Sequence, residues 1–142
     1  MPSSGPGAER LYKSVSVFLA VVFAVVGVIF LFVPDGVLSL FNNLSDLLGM
    51  QTAPLQGGGF YLILAVAYMY LVTLLAMLMF RLPENRVYPF ILINAKAASS
   101  VLSLLLFIFF HPYLVFLANC VVDGAIAAVV AILNLRMKRA LA

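Results

Sequence analysis

Four long apolar runs divide this chain, and polar residues gather almost entirely between them. The runs cover about Ser14–Val33, Phe60–Phe80, Val87–Phe110 and Tyr113–Leu133. A hydrocarbon core about 30 Å thick needs about 20 apolar residues per helix. The pattern therefore predicts four transmembrane helices. Between the first two runs the pattern changes. Val37, Phe41, Leu44 and Leu48 recur at helical spacing, with Leu40 and Leu47 beside them, while Ser39, Asn42, Asn43 and Asp46 take the other side. That predicts an amphipathic helix over about 37–48, too short to span. It is expected in the interface at the outer end of the bundle, apolar face down. The plainer role for it is a greasy connector; the alternative is a lid.

The fold class that follows is an all-α membrane protein. A bundle of four transmembrane helices, with one interfacial helix between helices 1 and 2, fills a single domain over residues 1–142. Composition agrees. Of 142 residues, 65% are hydrophobic and 9% charged, and mean hydropathy is +1.20. Soluble domains carry about 25% charged residues. The net charge of +3 does not point to nucleic acid, because the basic residues sit at helix ends and form no patch. Met1–Glu9 lacks the basic start of a signal peptide, and Pro34-Asp35-Gly36 is no small-residue cleavage site. The first run is read as a retained helix, and residues 1–10 as a mobile tail.

Seven basic residues lie outside the runs: Arg10, Lys13, Arg81, Arg86, Arg136, Lys138 and Arg139. In a four-span chain all seven fall on one side, while the loops 34–59 and 111–112 have none. The positive-inside rule then puts both termini in the cytoplasm.

Two ionisable residues interrupt the last two runs. Lys96 is nine residues beyond Val87, and Asp123 is ten residues before Leu133. At 1.5 Å per residue they sit about 14 and 15 Å deep from one side. The turn at His111-Pro112 thus brings them to one level. An unpaired charge there costs at least ~2.5–3.5 kcal/mol, so pairing is expected. Ser99, Ser100 and Ser103 share a face with Lys96, and Asn119 shares one with Asp123, whereas Asn94 points elsewhere. Two readings stay open. The pair is an internal staple that fixes helix register, or it belongs to a proton relay or a polar site for a small ligand. Gly124, Ala127 and Ala128 would let the fourth span pack closely, and Ala20, Ala24 and Gly27 form a similar small stripe on the first. Tyr61 and Tyr68 share a face. Tyr68 and Tyr70 are expected to face protein, because buried hydroxyls need partners. His111 reads as a solvated turn residue before a ligand, and Cys120 as a small buried hydrophobe.

Catalytic patterns are missing. The chain has no His-Glu-x-x-His, no paired carboxylates, no Cys-x-x-Cys and no nucleophile elbow. No Lys-Ser/Thr follows Gly57-Gly58-Gly59, so this is no phosphate-binding loop. No metal or cofactor is implied. The first span lacks the glutamate that small multidrug transporters carry.

The Phe32-Val-Pro-Asp35 exit after Gly27, Lys96 with Ser99-Ser100, and Asp123 resemble the layout of small bacterial four-helix membrane proteins of the DoxX-like group. That resemblance covers most of the chain. Some members resemble membrane subunits of quinone-linked oxidoreductases, which implies an accessory or quinone-proximal role and a bacterial inner membrane. The first functional reading is thus non-enzymatic. It is an accessory subunit of a larger complex, or a binder of an apolar ligand such as a lipid or quinone. The second is a small transporter or proton-conducting element using Lys96 and Asp123. The partners expected are the bilayer, other membrane subunits or further copies of the chain.

The charge pattern makes one prediction directly. Reporter fusions at Gln51 and at Ala142 should report opposite sides of the membrane, and the same side for both would overturn the four-span arrangement.

Overall fold

The computed structural model describes residues 6–55 and 59–141. Among them are five helices: α1 (Pro6–Phe32), α2 (Pro34–Leu47), α3 (Gly59–Arg81), α4 (Val87–Phe109) and α5 (Leu114–Leu141). Four are long and apolar enough to cross a membrane, within Gly7–Phe32, Tyr61–Arg81, Val87–Phe109 and Leu114–Lys138. The chain is an integral membrane protein on that ground.

Two expected boundaries move. Residues 6–10, read as tail, already belong to α1. Pro6 opens the helix where its missing N–H costs nothing, and Glu9 pairs with Lys13 one turn on, at 2.7 Å. Likewise α5 runs on past Leu133 to Leu141. Its last turns carry Leu133 and Met137 in the core, so packing prolongs the helix beyond the apolar run. The first five residues of the expected tail, and Gly57 and Gly58, lie outside the described residues.

Proline sets the break between α1 and α2. It cannot take a place inside a continuing helix, and it pushes the preceding residue out of helical geometry. Val33 accordingly has φ −136° and ψ 49°, and Pro34 starts α2. The far end of α2 closes with a Schellman motif. Gly49 takes φ 65°, its N–H donates to Asp46 O, and Met50 N–H donates to Ser45 O. Only glycine adopts that left-handed position without a Cβ penalty.

The short helix forms between the first two spans, and one position expected in water turns inward. Ser45 is buried and Leu40, Leu44, Leu47 and Leu48 are exposed. Asn42, expected in water, donates through Nδ2 to Ala53 O and accepts from Ala53 N–H, both at 2.8 Å. The following loop doubles back over the helix and needs its backbone groups satisfied, so it recruits the amide. Gln51 in that loop bridges to Tyr113 at the start of the last hairpin arm, which ties this end of the bundle together.

The spanning helices form two close pairs, α1 with α3 and α4 with α5, and the pairs meet each other less extensively. Close approach within each pair rests on glycine. A Cβ at Gly27 would lie 3.1 Å from Met69 Cβ, and a Cβ at Gly124 would lie 2.9 Å from Ser100 Oγ. Ala20 and Ala127 are also buried, while Ala24 and Ala128 turn outward.

The buried core occupies one end. Tyr12, Leu19 and Phe23 of α1, Val72, Ala76 and Met79 of α3, Leu92 of α4, and Val130 and Met137 of α5 form it. Because successive spans alternate in direction, these all belong to the half that bears the termini. The half capped by α2 holds a large void lined by Phe30, Leu38, Tyr61 and Phe116.

Gly27→Leu should destabilise the protein by about 1–3 kcal/mol, as overpacked interfaces do. Thermal unfolding in detergent measures it, and an unchanged midpoint would mean that α1 and α3 do not close at Gly27.

Candidate functional site

Lys96 and Asp123 meet where the packed half gives way to the open one. Lys96 Nζ donates to Asp123 Oδ1 at 2.8 Å, and each residue is only 3% exposed. The ammonium also lies 4.7 Å from the ring centroid of Phe23 and 5.0 Å from that of Tyr68. Both are within cation–π range. Lys96 thus has a carboxylate on one side and aromatic faces on others, which suits a charge held away from water. All four spanning helices contribute to this cluster.

Beyond the pair, the polar faces of α4 and α5 zip together. Ser100 Oγ donates to Cys120 O at 2.7 Å. Asn119 Nδ2 donates to Ser99 Oγ at 3.1 Å and to Ser103 Oγ at 2.7 Å. In antiparallel helices a step along one is a step back along the other, so 96 with 123, 100 with 120 and 103 with 119 form one register. Ser100 reaches the carbonyl because Gly124 brings the two backbones together. Cys120, a free thiol, lies with its Sγ 3.6 Å from Ser100 Oγ.

The remaining expected residues divide. Tyr68 joins the site, and its buried hydroxyl, beside Ser99, reaches no hydrogen-bond partner at bonding distance among the described residues. Tyr70 does not join it. It is 71% exposed, because two residues along a helix rotate the side chain about 200° away from Tyr68. The expectation that Tyr70 faces protein is therefore corrected. Thr73 back-bonds to Met69 O at 2.7 Å, and Asn94 stands on the exposed outer face of α4. His111 is exposed and stacks on Tyr113 with centroids 5.1 Å apart. Phe23 was invisible in the sequence as a site residue, since one phenylalanine among many apolar neighbours carries no signal. No cluster of three metal-ligating side chains occurs among the described residues.

A cavity of about 320 Å³ lies against the pair. Val22, Val26, Ala65, Met69, Val122 and Ile126 give it apolar walls; Lys96, Asp123, Ser99, Asn119 and Tyr68 supply the polar groups. Val122 and Asn119 are exposed at its margin. A second cavity of about 610 Å³ lies beneath α2 and shares Phe30 and Ala65 with the first. An apolar space with a few convergent polar groups is the usual form of a small-molecule site.

Comparison with protein families, characterised proteins and solved structures finds nothing that matches this chain.

The ion pair carries a clear mutational signature. Lys96→Met or Asp123→Leu alone leaves a buried charge without its partner, and each should cost about 3–5 kcal/mol. The double variant removes both charges and should recover much of the loss. Unfolding of the four proteins in detergent forms a double-mutant cycle. Purely additive losses would show that the two residues do not interact.

Proposed function

We propose that this protein binds an apolar molecule with a polar head, of the lipid or quinone class, in the cavity between its two helix pairs. One observation carries the reading: an apolar cleft ends on a compact polar set, with the Tyr68 hydroxyl left unpartnered beside it. A buried donor without an acceptor costs free energy, and a carbonyl or hydroxyl on a ligand would satisfy it. The apolar walls would hold the tail. Such a binder could serve as an accessory subunit of a larger membrane complex.

The transporter reading has less support. It needs a path from Lys96 and Asp123 to the termini-bearing end, and there Phe23, Val72, Leu92 and Val130 are packed with almost no exposure.

We place both termini in the cytoplasm, on the seven basic residues at that end, and the chain in a bacterial inner membrane, on the DoxX-like layout. In this orientation the cavity half faces outward. α2 lies at the outer interface with Leu40, Leu44, Leu47 and Leu48 toward lipid, because four exposed leucines on a short helix are stable there.

Val122→Trp would fill the mouth of the cavity from an exposed position. Protein purified in mild detergent and weighed intact by native mass spectrometry should carry a lipid-soluble molecule. The Val122→Trp variant should lose most of it at an unchanged unfolding temperature. A wild-type protein that carries nothing, or a variant loaded equally well, would refute the binding role.

A further inference from the structure

α4 carries an amide that the site does not use. Asn94 stands on the exposed face of the helix, seven residues beyond Val87. That is about 10 Å inside the apolar span. Its Nδ2 donates to Phe90 O at 2.8 Å, a bond within its own helix. The second amide hydrogen and the carbonyl Oδ1 have no partner among the described residues. At this depth lipid offers no replacement, and an asparagine side chain is too short to reach the interface.

Asn94 is also the centre of a regular seam. Val87, Ile91, Asn94, Ala98, Val101 and Leu105 are spaced four, three, four, three and four residues apart, and all six are exposed. That is a heptad repeat, the pattern that keeps one helix face turned toward a partner helix over several turns. Ala98, one turn beyond Asn94, is small enough to let a second backbone approach.

We infer that α4 is a dimerisation helix, with a second copy of this chain as its partner. The amide chemistry selects that partner. Under a two-fold axis along the membrane normal, Asn94 meets Asn94 at the same depth without any adjustment. Each amide then has one free N–H and one free carbonyl, and the two complete each other with a reciprocal pair of hydrogen bonds. A single polar residue in an otherwise apolar seam also fixes the register of the two helices. The ion pair is untouched, since Lys96 lies on the other side of α4 and faces α5, while Ala98 borders a groove that it shares with Tyr68 and Ser99. Dimerisation read by photobleaching is measured separately from ligand carriage.

The test uses the full-length protein in lipid vesicles, with single-molecule photobleaching over a range of protein-to-lipid ratios. The wild type should show a monomer–dimer equilibrium. Asn94→Leu, on the lipid face, should keep its unfolding temperature while weakening dimerisation about tenfold, as expected for two membrane hydrogen bonds. In a Cys120→Ala background, Ala98→Cys should cross-link as a dimer under mild oxidation, and Val25→Cys on α1 should not. Monomers at every density, dimers indifferent to Asn94→Leu, or Ala98→Cys cross-linking only to a different protein in native membranes would each overturn the proposal.

Discussion

A charge in hydrocarbon must find a partner, and that requirement organises this bundle. Lys96 on α4 and Asp123 on α5 satisfy each other at 2.8 Å. Once they are joined, the register of the α4–α5 hairpin is set, and Ser100, Ser103 and Asn119 close further bonds along the same seam. The pair also draws in the other two spans. Phe23 of α1 and Tyr68 of α3 present their rings to the ammonium, so the charged centre adds to the apolar core that joins the two helix pairs.

The two halves of the molecule have different physics. Toward the termini, large apolar side chains from all four spans interlock in the core, and clefts of about 360 and 410 Å³ lie at its outer face. Toward α2, smaller or more widely separated groups leave two adjoining cavities. The ion pair marks the boundary. A dense half holds the helices at fixed separation, and an open half offers room beside groups whose hydrogen-bonding capacity is not fully used. The packed core and the proposed binding space thus lie toward different ends of the same four helices.

The outer surface repeats the logic on a smaller scale. Most lipid-facing residues are apolar and need no partner, so Asn94 is conspicuous by chemistry alone. Inside the bundle, similar polar groups are answered by neighbours on the next helix. On the outside, the second copy proposed above would supply the answer.

The sequence by itself determined the number of spans, the short helix between the first two, and the pairing of Lys96 with Asp123. Each follows from one-dimensional information: run length against bilayer thickness, helical period, and equal depth on two arms of a hairpin. The serines and Asn119 were legible for the same reason, since they share the helical faces of the two charges. What only the tertiary structure decided is whatever depends on which helices touch. Phe23 at the ammonium, the exposure of Tyr70, the inward turn of Asn42 and the cavity beneath α2 come from contacts between segments far apart in the chain. An almost uniformly apolar span has no polar stripe to announce its inner face. Its rotation about its own axis is settled by packing, and by close approaches at Gly27 and Gly124, rather than by any period in the residues.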